Sequence, residues 1–329
     1  MKNFPKIFLF YLLTSLILLT NIKIANLPAK SSLTLEESHQ CRLWGMTASP
    51  LPENVVLDHL VNLPYSLKNL GAYNPNGWGL AFYNDTEPTV SRGKLSANVD
   101  PAFTACAEQM AHSNAHVGVG HVRLATSGAT DIPNPHPFIR YKGGKWWAFG
   151  HNGGLNKSVL MSLVGEEYLA ANPPTVGDNW TDPKVVDSDL YMLYVLKCIE
   201  ENTWNVTEGV AKAVRDISQT EAGSMNFFLT NGEALWGLRR GYPLYYCYNE
   251  TANYVAIASQ PPESTMVGWT ELDNYDLIVL VAGEPPKIIS DIASVPEFSY
   301  AILFPLLAVA ALLIVMFALV NVKTKVSDA

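Results

Sequence analysis

Cys41-Arg42-Leu43-Trp44-Gly45-Met46 opens the apolar body of this chain, directly after a short polar stretch, residues 31–40, that carries Glu36 and Glu37. Read as backbone, the segment is a first strand. Read as chemistry, it offers a thiol that becomes a competent nucleophile if residues through Gln40 are removed, because a freed α-amino group beside a thiol can take up its proton. A lipoprotein acceptor cysteine is a third reading, but Ser38-His39-Gln40 is nothing like the small apolar box that reaction needs.

Working outward, the two ends differ from the middle. Lys2 and Lys6 precede an uncharged run, Ile7 to Ile22, which reads as a secretory signal and is short for an anchor helix; Ala29 is the better cleavage position. Residues 1–29 are therefore expected to be a signal peptide or N-terminal membrane segment, and 30–40 a linker or propeptide. At the other end, Tyr300 to Val320 is free of charge and is followed by Lys323 and Lys325. That predicts a transmembrane helix over 300–322, after a connector over 291–299 and before a cytoplasmic tail over 323–329. Lysines outside both apolar segments put the middle on the extracytoplasmic side of the cell membrane. Five Asn-X-Ser/Thr triplets, at Asn84, Asn156, Asn179, Asn205 and Asn249, agree with that side.

The chain's net charge of -8 understates the middle. Residues 26–298 hold 17 basic and 29 acidic residues once the three lysines of the first 25 residues and the two lysines and one aspartate of the last 31 are set aside. Such an acidic body excludes a phosphate-tracking nucleic-acid binder. Four cysteines, Cys41, Cys106, Cys198 and Cys247, are too few for a disulfide scaffold in a chain of 329 residues. If Cys41 has a chemical role, three remain, so at most one bridge forms and one thiol stays free; the plainer reading of the three is small buried hydrophobes.

Inside the body, strands are expected at Gly79–Asn84, His116–Arg123, Lys145–His151, Met225–Thr230, Leu244–Tyr248, Tyr254–Ala258 and Tyr275–Val281, all rich in Val, Phe, Tyr or Trp. Helices are expected at Glu53–Leu63, Pro101–His112, Ser158–Ala170, Ser188–Glu201 and Thr207–Ser218. Asn172 to Pro183, with three prolines, reads as a long loop. The mixture predicts an α+β body of packed antiparallel sheets with helices outside.

Four further segments carry possible chemistry. Asn76-Gly77-Trp78-Gly79 precedes a strand and implies close backbone approach. In Gly120-His121-Val122-Arg123-Leu124-Ala125-Thr126-Ser127-Gly128, an arginine ends an apolar strand. Burying it needs an internal partner or an anionic ligand, and a guanidinium suits a carboxylate. Phe149-Gly150-His151-Asn152-Gly153-Gly154 is first of all a hairpin turn, yet it also places an amide beside a bare backbone N–H, the two donors of an oxyanion hole. Asp187-Ser188-Asp189 opens a helix, either as N-terminal capping or as a carboxylate aimed at a ligand ammonium. His121, His136 and His151 could hold a metal, but they sit within the segments already named and read as structural.

Taken in order, Cys41-Arg42-Leu43 with Gly45-Met46, Gly77-Trp78-Gly79, His121-Val122-Arg123 with Ala125-Thr126, His136-Pro137-Phe138, His151-Asn152-Gly153 and Asp187-Ser188-Asp189 resemble the class II glutamine amidotransferases. The similarity is to their stand-alone type that begins Cys-Arg-Leu-Leu-Gly-Met, and it covers residues 41–290. Pro296-Glu297-Phe298, followed by the apolar segment and basic tail, resembles the PEF type of archaeal C-terminal sorting signal.

The resemblance implies a four-layer αββα N-terminal-nucleophile hydrolase fold. It implies Cys41 as nucleophile with its own α-amino group as base, the Asn152 side chain and Gly153 N–H as oxyanion donors, Arg123 on the substrate α-carboxylate, Asp187 on the α-ammonium, and Thr126 in the pocket wall. It implies neither cofactor nor metal. The expected reaction releases ammonia and glutamate from L-glutamine. Alternatives are hydrolysis of γ-glutamyl amides or peptides at the same site, an N-terminal-Cys acylase, against which Arg123 with Asp187 argue, and a catalytically silent surface-displayed binding domain. A synthase domain finds no room beside 41–290, so ammonia would pass to a separate partner or to none. Two departures from the family pattern, Asn76 in place of Asp and Ser127 in place of His, are expected to lie outside the core chemistry.

Overall fold

The computed structural model describes residues 40–130, 134 and 136–294. The expected signal segment, the sorting tripeptide and the expected transmembrane helix lie outside the described residues.

In chain order the strands are β1 (Arg42–Ala48), β2 (Trp78–Tyr83), β3 (Thr89–Gly93), β4 (Val117–Val122), β5 (Phe138–Lys142), β6 (Lys145–Gly153), β7 (Met225–Thr230), β8 (Ala234–Leu238), β9 (Tyr245–Asn249), β10 (Tyr254–Ala258), β11 (Trp269–Glu271), β12 (Leu277–Val281) and β13 (Lys287–Ile289). The helices are α1 (Glu53–Leu57), which continues as a π-helical stretch Asp58–Asn62, α2 (Leu67–Leu70), α3 (Pro101–His112), α4 (Lys157–Val164), α5 (Glu166–Ala171), α6 (Asp187–Glu201) and α7 (Val206–Ser218). One sheet has the order β11-β9-β10-β1-β4-β2-β3 and the other β13-β12-β8-β7-β6-β5. The pairings within both are antiparallel.

Alternation along the strands builds the layers. In β1, Leu43 packs between the sheets with Ala81, Val119, Ala148, Phe228 and Ile257. Its neighbours Trp44 and Met46 face the other way, into a core with Leu60, Phe103 and Met110 of the helical layer. In β6, Ala148 faces the other sheet, whereas Trp147 and Phe149 pack with Leu190, Tyr191 and Val214. Because strands such as β1 and β4 are buried on both faces, they read as nearly unbroken apolar runs rather than strict alternations. The result is two facing antiparallel sheets with a helical layer outside each, the α+β arrangement of the N-terminal-nucleophile hydrolases.

Several sequence expectations need correction. The expected helix Ser158–Ala170 is two helices, because Gly165 takes φ +80° and ends α4. Glu53–Leu63 changes from α- to π-helix at Asp58. The strand expected from Tyr275 begins at Leu277, since Tyr275 has φ +70°. Most significantly for the site, Asn152-Gly153 is no hairpin turn. These residues end β6 and pair with Asn226 and Met225 of β7. The hairpin of β5 with β6 turns at Gly143-Gly144 instead, both with positive φ. Strands β3, β5, β8, β11 and β13 were not expected from the sequence; all are only three to five residues long. All four cysteines are free thiols, with Cys198 and Cys247 buried.

Candidate active site

β1 lies inside its sheet, between β10 and β4, and its register sets Arg42 opposite Val122. Cys41, one residue before the strand, therefore meets the chain just past the end of β4. Its Sγ accepts from Leu124 N–H at 3.4 Å and points a weak S–H bond at the Leu124 carbonyl, 3.5 Å away. The thiol is desolvated, and burial pushes its pKa up to about 11, against the opposing pull of the Leu124 N–H and the Arg123 guanidinium. In the chain as described, which includes Gln40, the Cys41 nitrogen is a peptide amide.

Gln40 is held closely. Its carbonyl accepts from Asn74 Nδ2 at 2.7 Å and Arg42 Nη1 at 3.2 Å. Its side-chain Oε1 accepts from Asn152 Nδ2 at 3.2 Å. Asn152 is fully buried, and its Nδ2 also lies 3.5 Å from Ser259 Oγ. Ser259 in turn takes the Leu43 N–H on its hydroxyl and gives its own N–H to the Leu43 carbonyl, which ties Asn152 to the start of β1. Gly153 cannot carry a side chain, because a Cβ there would run into the Ser224 carbonyl oxygen. His151, just before, is fixed by Ser188 Oγ at 3.0 Å and the Ser224 carbonyl at 3.2 Å.

Arg123 resolves its burial internally. Only 3% exposed, it donates from Nη1 to the Ala129 carbonyl at 2.7 Å and from Nη2 to the Ser127 carbonyl at 2.6 Å. Two of its five donors thus shape the loop that follows β4, and three remain. Asp187 opens α6 without capping it. Its Oδ2 accepts from Leu155 N–H at 2.8 Å and its Oδ1 from Ser127 Oγ at 3.2 Å. Asp189 instead takes Arg140 Nη2 at 2.6 Å and Thr175 N–H at 2.7 Å.

The six residues singled out from the sequence come together. Cys41, Thr126, Asn152 and Gly153 line a cleft of about 390 Å³, which Gln40, Ser224 and Tyr242 also border. Cys41, Arg123, Thr126, Gly153 and Asp187 line an adjoining recess of about 20 Å³. His121, His136 and His151 are buried, and desolvation keeps them neutral at neutral pH. Desolvation lowers His121 to about 3 and holds His136 well below the usual range, and their rings lie 4.3 Å apart. Among the described residues, no group of three or more His, Cys, Asp or Glu is placed to hold a metal.

The two departures lie beside Asp187 and the loop after β4. Ser127 Oγ donates to Asp187, and Asn76 Oδ1 accepts from Ala125 N–H at 3.0 Å, so both brace the Arg123–Asp187 side. Sequence reading missed Asn74, Arg42 and Ser259. Asn74 stands two residues before Asn76-Gly77, and Arg42 follows Cys41, which is the only positional hint; Ser259 has none, because it reaches the site through pairing across more than 200 residues.

A family model for glutamine amidotransferases class-II matches residues 41–285. The chain is 29% identical over 166 residues to a protein of Haemophilus influenzae provisionally named a glutamine amidotransferase, covering 48% of this chain and 50% of that one. It is 28% identical over 125 residues to an Escherichia coli protein provisionally given the same activity, covering 35% and 43%. The chain thus spans half or less of the length of these curated relatives. Among solved structures, a glutamine aminotransferase class-II domain protein from Silicibacter pomeroyi superposes with TM-score 0.51 at 20% identity, over 76% of this chain and 98% of that one. The glutamine phosphoribosylpyrophosphate amidotransferase of Bacillus subtilis superposes with TM-score 0.54 at 14% identity, over 76% and 49%. Those likenesses establish the fold, and the model matched from Cys41 onward establishes the family: this chain belongs to the class II glutamine amidotransferases.

Proposed function

We propose that the protein is an amidohydrolase that releases ammonia from the carboxamide of L-glutamine once the chain is cut between Gln40 and Cys41. The freed α-amino group takes the proton of the Cys41 thiol, and the sulfur attacks the carboxamide carbon. The developing oxyanion is met by Asn152 Nδ2 and the Gly153 N–H. Ammonia leaves with the proton returned from the amine, and water then hydrolyses the glutamyl thioester to glutamate. The unused donors of Arg123 take the α-carboxylate, Asp187 takes the α-ammonium, and Thr126 forms part of the wall.

One observation carries this reading. Asn152 Nδ2, in the cleft beside Cys41, already holds a glutamine carboxamide oxygen, that of Gln40, at 3.2 Å. That contact supports Asn152 as a donor to a substrate carboxamide. A second reading is favoured by the cleft itself. At about 390 Å³, with Ala222, Gly223 and Tyr242 on its border, it is roomier than one glutamine side chain needs, which suits a γ-glutamyl amide or peptide. The Lys-flanked apolar ends support a membrane-attached protein with this domain on the extracytoplasmic side, and a separate ammonia acceptor is compatible with that reading.

The test is N-terminal sequencing of the mature protein combined with ammonia release from glutamine and from γ-glutamyl peptides. The reading expects Cys41 as the first residue, and loss of both activity and labelling by an electrophilic glutamine analogue in Cys41→Ala. An active mature protein that still retains Gln40 would sink the mechanism.

A further inference from the structure

Asn74 is not among the residues through which the family resemblance or the reaction above was argued. It follows α2, with its backbone N–H bonded to the Gly71 carbonyl at 3.1 Å, and it is 1% exposed. Its Nδ2 donates to the Gln40 carbonyl at 2.7 Å, and because that oxygen must accept, the orientation of the amide is fixed by chemistry. Its Oδ1 is buried without a hydrogen-bond partner. An unpartnered acceptor beside the bond that has to break is costly in a finished structure. It is explained if the partner comes into being only when that bond is cut.

We propose that Asn74 acts twice: as an oxyanion donor for self-cleavage of the Gln40–Cys41 bond, and then, with its amide turned over, as the acceptor that positions the Cys41 α-amino group. This rests on the function proposed above. In the first stage the Cys41 sulfur attacks the Gln40 carbonyl carbon, and the oxygen gains charge between Asn74 Nδ2 and Arg42 Nη1. The carbon–nitrogen bond breaks, the nitrogen leaves as the Cys41 α-amine carrying the proton lost by the thiol, and a Gln40 thioester forms. Water hydrolyses it, giving the Gln40 carboxylate and restoring the thiol. In the second stage the carbonyl is gone and an N–H donor stands one bond from where its carbon was. Asn74 Oδ1 accepts from this amine and turns its lone pair toward Sγ. The charged and titratable groups facing Cys41 are Arg42, Arg123 and Asp187. The two arginines favour the neutral, basic form of the amine and Asp187 opposes them.

The two roles can be separated because Asn74→Asp affects them with opposite sign. A carboxylate cannot donate to the Gln40 carbonyl, so self-cleavage should slow about tenfold or more. The same carboxylate stabilises the ammonium form of the freed amine, so the acid limb of kcat/KM should move up by about one pH unit. Asn74→Ala should slow self-cleavage comparably, and in the cut protein lower kcat at constant KM without moving the acid limb. The experiment follows the full-length chain by intact mass, which gives the cut fraction over time, and measures glutamine hydrolysis against pH per cut molecule. Asn74→Asp cleaving at the wild-type rate, or giving an unmoved acid limb, overturns the proposal. If the wild type is cut and hydrolyses glutamine, that failure touches Asn74 alone. If the wild type is cut but hydrolyses no glutamine, the amidohydrolase reading falls while the cleavage rates still decide Asn74's first role. If the wild type is never cut, both fall.

Discussion

The two sides of the site are in different states of completion. On the clamp side, the guanidinium of Arg123 holds the carbonyls of Ser127 and Ala129, Asp187 takes the Leu155 N–H and the Ser127 hydroxyl, and Asn76 takes the Ala125 N–H. On the nucleophile side, Asn74 Oδ1 and Asn152 Oδ1 are buried without partners, and Cys41 makes only weak sulfur contacts. The clamp side is thus already hydrogen-bonded in the folded chain, with Arg123 keeping three donors beyond the two it spends on the loop. The Cys41 side is folded around the intact Gln40–Cys41 peptide bond, which the proposed mechanism requires to be cut. A folded but uncut chain should therefore hold a formed clamp and an unready thiol.

The largest expected effect tests that contrast directly. Burial holds the Cys41 thiol of the uncut chain at about 11, above its ordinary value, so the protonated form dominates at every lower pH and raising the pH activates it. At pH 8 only about one thiol in a thousand is ionised. Chloroacetamide labelling of Cys41 in uncut molecules, read by mass spectrometry, should rise about tenfold per pH unit toward pH 11. Cut molecules in the same sample should label readily near neutral pH. Rapid, pH-independent labelling of uncut molecules would erase the difference between the two sides.

A second effect separates activity from stability. In the proposed mechanism Asn152→Ala removes an oxyanion donor, so it should lower kcat by about 10²–10³-fold. Its melting temperature should change little, because the lost amide includes an unpartnered buried atom and only long side-chain bonds of 3.2 and 3.5 Å. Asp187→Ala should do the reverse in kind. It orphans the buried Leu155 N–H, costing about 1–3 kcal/mol of stability, and raises KM for glutamine. Asp187→Asn, which keeps an acceptor for that N–H, should recover stability but not KM. A clamp that could be emptied without loss of stability would break the comparison.

How much of this was legible in the sequence follows the same division. Residues that local spacing singles out do meet in one recess: Cys41 before an apolar strand, Arg123 at a strand end, Asp187 at a helix start. Asn152 and Gly153 were found for their donors, but their backbone was misread as a hairpin turn. Asn-Gly favours such turns, and only the pairing with Asn226 and Met225 of β7, some seventy residues on, holds them extended. Edge strands such as β5 and β13 were missed because a few half-exposed residues carry too little periodic signal. Asn74, Arg42 and Ser259 were missed because an amide, a guanidinium or a hydroxyl announces nothing until the fold aims it at Gln40 or Asn152.

The smallest effect concerns Asn76, where the family pattern has Asp. Its Oδ1 accepts from Ala125 N–H at 3.0 Å, and either residue type supplies that oxygen. Asn76→Asp should therefore shift stability by no more than about 0.5 kcal/mol and leave KM for glutamine within about twofold. Asn76→Ala removes the acceptor and should cost about 1 kcal/mol, with a rise in KM because Ala125 lies in the loop that Arg123 holds. The pair sharpens the comparison at its fine end: thermal melts and steady-state kinetics that separate Asn from Asp would mean the clamp senses charge at position 76, whereas a difference confined to Ala means it needs only the bond.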